Sequence, residues 1–296
     1  MSRSKSETVL VYGATGAQGS SIVRAAVGAV ANVRGVARDD READAVRAMG
    51  AAPALANLDD PASLRRASEG ASAVVLVLPL EYEFDLAVSH GRAAIDAAVD
   101  AGVERIVFDT SMRWPAERTS VPAFEIKREV ARYLATRPIE STVVRPTFYL
   151  ENLLGPWTLP AIVVDGVFAY PLPPTLSAAW VSHADVARVA VAAARGAISS
   201  GVIDVGGDRA VTGPEIARAL SSHLRRPIAY VPIEPDAFEA ALRPNVGPAA
   251  ARDIALLYQW SFAHHATTLF ADNTPSLDVR PATLEQWISS QRWELP

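Results

Sequence analysis

Residues 9–26 read VLVYGATGAQGSSIVRAA: an apolar run, three glycines at spacing three, then an alanine-rich amphipathic stretch. No other segment restricts the fold as strongly, because a buried strand must here reverse and enter a helix within a few residues. Gly13 permits the tight turn, Gly16 lets the backbone approach a pyrophosphate, and Gly19 lets the helix pack closely on its sheet. The helix N-terminus adds unpaired N–H donors and a partial positive charge. A glycine triplet alone is a weak signal, but this one follows a strand and opens a helix, the context the motif requires. It predicts a dinucleotide cradle, with Thr15, Ala17 and Gln18 lining it beside the glycines.

The same alternation continues through the first half. Apolar runs at Thr8–Tyr12, Val33–Ala37, Ala52–Ala56, Ala73–Leu78, Arg105–Asp109 and Ser141–Arg145 read as strands. Amphipathic stretches between them, Gln18–Val27, Arg41–Met49, Pro61–Ser68, Asp85–Ala101 and Pro122–Ala135, read as helices. Near-continuous apolar strands that alternate with helices predict a parallel sheet covered on both faces, an α/β Rossmann-type doubly wound architecture. After Pro146 prolines thicken and the rhythm changes. VVDGVFAYPL reads as a hairpin around Asp165-Gly166. His183–Arg195 and Gly213–Leu224 read as helices, Val202–Val205 and Ile228–Val231 as strands, and the remainder as mostly helical. The division expected is a dinucleotide-binding domain over 1–150 and a smaller α+β substrate lobe over 151–296. That lobe is not expected to fold alone, and some of its segments are expected to return to the sheet.

Composition narrows the function. Among 296 residues half are apolar and the net charge is −5, with acidic and basic residues interspersed. No basic run suggests nucleic acid as a partner. Cysteine is absent and the five histidines lack ligand spacing, so no metal site is expected. His264 and His265, as neighbours, read as a surface or helix-end pair. No apolar run reaches the roughly 20 residues that span a bilayer. The start MSRSKSE lacks the apolar core of a secretory signal, so the expectation is a cytoplasmic protein, monomer or homodimer, acting on a small molecule.

Cofactor choice rests on the end of the second strand, NVRGVARDD. A ribose 2′-hydroxyl is met by a carboxylate about 20 residues past the glycines, and a 2′-phosphate by an arginine. Arg38 stands there with a planar fork suited to phosphate. Asp39 and Asp40 compete as ribose ligands, or simply begin the next helix. The geometry favours NADP(H) over NAD(H).

GATGAQG, VRGVARD, NLDDPASL, FEIKREVARYL followed by TVVRPTFYLENLL, WVSHADVARVAVAAA and VIDVGGDRAVTGPEIARALS together resemble the NmrA-like atypical short-chain dehydrogenases. The G-x-x-G-x-x-G spacing and the R-P-x-x-x-x-x-N pattern of Arg145–Asn152 are the more specific parts. The resemblance implies a Rossmann domain with a small C-terminal lobe and NADP(H) across the carboxyl edge of the sheet. It also implies either a reductase or a redox-sensing regulator without activity. By the same resemblance Arg38 is the 2′-phosphate contact, and Asn57 and Leu58 form the adenine-side pair, although Asp is commoner at position 57. Leu78 and Pro79 pass the cofactor ribose. Thr110 and Ser111 stand where short-chain dehydrogenases keep a serine. Lys127 meets the nicotinamide ribose, and Pro146, Thr147 and Phe148 wall the nicotinamide. One departure matters: four residues before Lys127, where related dehydrogenases carry a proton-donating tyrosine, stands Ala123. Ordinary alcohol–ketone interconversion is therefore not expected.

Lys127 has a plain reading, a solvated helix lysine near Glu125 or Glu129, and a functional one, general acid or electrostatic anchor beside the cofactor with its pKa tuned by burial. The functional reading is favoured. Ser111 is balanced between a cofactor contact and a strand-end backbone partner. Tyr82 and Tyr149 read as wall or core before proton donor, and Trp287 and Trp293 as lobe packing. The expected acceptor pocket consists of Leu80, Trp114, Phe148, Tyr149 and Trp157, with Trp180 a weaker member. The activity expected is NADPH-dependent hydride transfer to an electron-poor conjugated molecule, a quinone or enone. The alternative is a non-catalytic NADP(H)/NAD(P) sensor that acts through a protein partner.

Overall fold

The computed structural model describes residues 7–81, 83–198, 200–264 and 280–295. Tyr82 and His265 lie outside the described residues. The first unit is built on parallel strands β1 (Thr8–Val11), β2 (Asn32–Ala37), β3 (Ala52–Leu55), β4 (Ala73–Val77), β5 (Arg105–Asp109) and β6 (Glu140–Pro146). Helices α1 (Ala17–Val27), α2 (Asp40–Ala48), α3 (Pro61–Ser68), α4 (Phe84–Asp100) and α5 (Pro122–Leu134) connect them. Every residue of β1 and β4 is buried, as expected of strands covered on both faces. A seventh strand, β9 (Gly201–Val205), joins beside β6 and gives the order β3-β2-β1-β4-β5-β6-β9. It lies within residues 151–296, some of whose segments the sequence leads one to expect back in the sheet. Its burial alternates instead of running continuously, as befits the edge of a sheet.

The strand order reverses between β1 and β4, where successive connections leave in opposite directions and a crevice opens at the carboxyl ends. The glycine turn follows β1 at that point. α3 starts with Pro61 in its first turn and Asp60 as N-cap, accepting from the N–H groups of Ala62 and Ser63. α6 (His183–Ala194), rich in buried valine and alanine, packs against α1.

Two compact units emerge, interleaved along the chain. The first comprises residues 1–111, 126–145 and 183–203, and the second 112–125, 146–182 and 204–296. The chain thus crosses between them five times, where the sequence reading drew one boundary at residue 150.

Within the second unit the expected hairpin is absent. Ala161–Asp165 form one π-helical turn that ends at Gly166, whose φ of 70° is left-handed. A two-residue type I′ loop needs positive φ at both central positions, and Asp165 remains helical. The following strand β7 (Val167–Tyr170) pairs in parallel with the distant β11 (Ala229–Pro232). Short strands β8 (Ser177–Ala178) and β10 (Val211–Thr212) pair antiparallel. α7 (Gly213–Leu224) opens with a capping box: Thr212 and Glu215 satisfy each other's backbone N–H groups. α8 (Pro235–Val246), α9 (Pro248–Ala263) and α10 (Leu284–Ser290) complete the unit, and Trp287 packs edge-on against Trp293.

Candidate active site

The glycine turn shows why each glycine is needed. Gly13 has a φ of 65°, a region other residues avoid, and a Cβ there would stand 2.8 Å from the Val77 carbonyl oxygen. A Cβ on Gly19 would lie 2.0 Å from the Gly13 carbonyl oxygen, so only glycine lets α1 start so near the turn. Gly16 is the N-cap of α1 and makes no side-chain capping bond. The first N–H groups of the helix are therefore left for an anion, and no acidic residue sits in the first turn. Gly13, Thr15, Gly16 and Ala17 are exposed and Gln18 half-buried, an open cradle of the kind a pyrophosphate fills.

From β5 the chain brings a second set of groups to this turn. Ser111 has φ 64°, rare for a residue with a side chain, and its strained backbone aims the hydroxyl across to α1. Ser111 Oγ donates to Gln18 Oε1 at 2.6 Å, and its N–H donates to Asp109 Oδ1 at 2.9 Å. Ser111 therefore does more than satisfy a strand end. Thr110 donates through both N–H and hydroxyl to the Val144 carbonyl, each at 3.0 Å, tying β5 to β6.

Asp109 is fully buried, and its Oδ2 has no hydrogen-bond partner among the described residues. Desolvation pushes its carboxyl up from 3.8 to about 6, against the opposing pull of the Ser111 N–H and the Lys127 charge. Lys127 on α5 is only 7% exposed. Burial pushes its ammonium down from 10.5 to about 8, partly offset by Asp109. The solvated-lysine reading fails on this burial. The neighbouring carboxylates are also engaged elsewhere: Glu129 pairs with Arg92 and Arg132, and Glu125 accepts from Thr119. Two buried groups of opposite charge, titrating on either side of neutrality, thus influence each other, and Asp109 is tied through Ser111 to the glycine turn.

Next to β1, Arg38 follows β2 with its side chain 71% exposed and ion-paired to Glu42. Asp39 accepts the Glu42 N–H as N-cap of α2, and Asp40 is the first residue of that helix. Both carboxylates serve the helix start. Asn57 is exposed, and its side-chain oxygen accepts the Asp59 N–H at 3.2 Å. Leu58 is half-buried, Leu78 is buried, and Pro79 and Leu80 are exposed, Leu80 at 69%.

The remaining predicted residues belong to the second unit. Pro146, Thr147, Phe148 and Tyr149 are buried there. The Thr147 N–H donates to Val205 at 2.9 Å and its hydroxyl to the Ala179 carbonyl. Phe148 stacks on Tyr258 at 5.7 Å and leans on Trp180 at 5.4 Å. Trp180 in turn meets Tyr170 edge-on, so it belongs to this aromatic core. Trp114 is buried, while Trp157 covers Gly155 and keeps part of its ring exposed. Asn152, the last residue of the R-P-x-x-x-x-x-N pattern, donates to the Tyr170 hydroxyl at 3.1 Å, and Tyr170 shares a 2.5 Å hydrogen bond with Tyr258.

Sequence reasoning did not single out Asp109 or Glu42. Asp109 announces itself as the one charged residue at the end of the otherwise apolar run IVFD. Glu42 stands in the first turn of the helix that follows Arg38, within reach of a side chain just before the N-cap.

A doubly wound sheet with a glycine turn at its switch point places the chain among the Rossmann-type α/β proteins. Residues 5–292 match the model of the NmrA-like family, and the chain belongs to that family. It is 32% identical over 226 residues to an NAD(P)H azoreductase of Xenophilus azovorans, covering 76% of this chain and 77% of that protein. It is 28% identical over 244 residues to quinone oxidoreductase 2 of Escherichia coli, covering 79% and 81%. The triphenylmethane reductase of Citrobacter sp., solved with NADP(H), has the same fold, with a TM-score of 0.79, 19% identity and coverage of 95% and 98%. Among the described residues no helix is long and apolar enough to cross a membrane, and no cluster of acidic or histidine side chains forms a metal site.

Proposed function

We propose that this chain is an NAD(P)H-dependent reductase of electron-poor conjugated small molecules such as quinones, enones or azo dyes. The observation that carries this reading is the buried Asp109, linked to the glycine turn through Ser111 and Gln18, with the buried Lys127 near enough to feel its charge. Gly13, Thr15, Gly16, Ala17, Gln18 and Gly19 hold the pyrophosphate at the N-terminus of α1. Arg38, Asn57 and Leu58 receive the adenosine end; Leu78, Pro79, Ser111 and Lys127 the ribose and nicotinamide end. Pro146, Thr147 and Phe148 keep the role of nicotinamide wall. Leu80, Trp114, Tyr149 and Trp157 keep the role of acceptor contacts.

When bound, the reduced nicotinamide supplies the hydride. The protein's task is the matching proton. An ammonium titrating near 8 is mostly charged at neutral pH yet releases its proton far more readily than a solvated lysine. Asp109 keeps that charge in place until it is needed. With Ala123 where a tyrosine would stand, a ketone lacks its usual donor. A conjugated acceptor does not need one so close, because the developing charge spreads over the molecule. The names of the curated relatives, an azoreductase and a quinone oxidoreductase, agree with acceptors of this kind.

The test is to follow loss of reduced cofactor with purified protein against quinones, enones, azo dyes and simple ketones. Turnover with conjugated acceptors and none with ketones is expected. Binding of cofactor without oxidation by any acceptor would instead favour a sensor.

A further inference from the structure

The end of β2 carries a feature that dinucleotide binding alone does not explain. Arg38 is exposed, yet two nitrogens of its guanidinium, Nε and Nη2, both donate to Glu42 Oε1. The other oxygen, Oε2, accepts the backbone N–H of Arg38 at 2.9 Å. Glu42 has little freedom to leave. Its side chain is 9% exposed, and its own N–H is held at 2.8 Å by the capping carboxylate of Asp39. The hydrogen bonds from Arg38 hold the Glu42 carboxyl below its usual range.

An arginine reads a phosphate by presenting two parallel N–H groups to two oxygens. One such edge of Arg38, the Nε–Nη2 edge, is already turned onto a carboxylate, itself a planar anion of phosphate-like chemistry. The segment Arg38–Glu42 holds Arg38 and Arg41 against Asp39, Asp40 and Glu42, so its formal charge is 2 − 3 = −1. A 2′-phosphate arriving there meets an Arg38 already shared with Glu42, in a segment of net negative charge despite Arg41, whereas a 2′-hydroxyl meets no such penalty.

We infer that Glu42 is a specificity-determining residue: it stands in for the 2′-phosphate on Arg38 and narrows the chain's preference for NADPH over NADH. The inference rests on the dinucleotide reading above and deepens it.

Dissociation constants of NADPH and NADH, measured by fluorescence titration on the full chain, decide it. The wild type should bind both with a ratio below about tenfold. Glu42→Gln, which removes the charge and one acceptor while keeping the shape, should tighten NADPH about tenfold and change NADH less than about twofold, as for one charge-assisted contact regained. A thermal melt checks that the variant is folded. Weaker NADPH binding in Glu42→Gln would overturn the inference, since the carboxylate would then be orienting Arg38 for phosphate. Equal changes for both cofactors would overturn it too. A wild-type NADPH preference above tenfold overturns it without any variant. If the wild type binds neither cofactor, the dinucleotide reading itself falls and this inference with it; an unchanged ratio in Glu42→Gln removes this inference alone.

Discussion

Replacing Asp109 by asparagine isolates what the buried carboxylate does for Lys127. Asparagine keeps an amide oxygen to accept the Ser111 N–H, so the turn should hold, but it removes the negative charge facing the ammonium. The fall of Lys127 from 10.5 to about 8 corresponds to roughly 3 kcal/mol in favour of the neutral amine. Asp109 resists that fall. No direct ion pair joins the two groups among the described residues, so the ~4 kcal/mol that unit charges exert at 4 Å through an effective dielectric of about 20 is an upper bound. Losing a third of that bound lowers the Lys127 pKa by about one unit. Because Lys127 acts in its protonated form, activity should fall as pH rises through its pKa, near 8 in the wild type and near 7 or below in the variant. At pH 8 the protonated fraction then drops about fivefold. The assay is kcat/KM for a quinone from pH 5.5 to 9.5, with a thermal melt at each pH. An alkaline limb that stays put or moves upward would refute the coupling. A loss of the same size at every pH would assign Asp109 a merely structural role.

Three further outcomes follow from the geometry. Asp109→Asn combined with Lys127→Met should abolish turnover but stabilise the protein at neutral pH by about 1–4 kcal/mol in urea titrations, as when buried charges give way to neutral side chains. The cost of Lys127 is full below its folded value of about 8 and relieved as pH rises toward 10.5; that of Asp109 is full above about 6 and vanishes below 3.8. The stability gain should therefore be greatest between 6 and 8, and a double variant less stable there contradicts the pair's assignment. Gly19→Ala sets a methyl 2.0 Å from a backbone oxygen with no side chain able to yield, and should cost about 3 kcal/mol or more, visible as a lower denaturation midpoint. Thr212→Ala removes the capping box of α7 and should cost about 1 kcal/mol by the same measurement, with cofactor affinity unchanged.

The sheet was legible because period and punctuation agreed. Pro61 marked the start of α3, and Gly13 marked the turn that only glycine makes. Where tertiary pairing overrode local signals, reading failed. Asp165-Gly166 has the composition of a hairpin, but its strand pairs with a partner some sixty residues on, which no local pattern announces. For the same reason the sequence shows that some later segment returns to the sheet without showing that it is the seventh strand. At the site, Lys127 was visible by position and its burial was the favoured expectation, but the carboxylate that faces it was not, because that depends on what α5 packs against. Asp109 looked like a strand end, and its lack of a partner for Oδ2 among the described residues is a property of the folded surroundings. Arg38 reads in the sequence as a planar fork suited to phosphate, and nothing local shows that Glu42 clasps it.

The interleaving of the two units has a consequence for synthesis. α1 is complete by residue 27, yet α6, which packs against it, ends only at residue 194. At roughly 5–20 residues per second the ribosome needs on the order of ten seconds to make the intervening chain. For that interval the part of α1 destined for α6 lies uncovered, while β1 to β6 already have neighbours to pair with. The order of emergence and the order of assembly thus differ. A nascent chain halted anywhere before residue 194 presents an unfinished apolar face, a target for chaperones and a point of aggregation between neighbouring polysome chains.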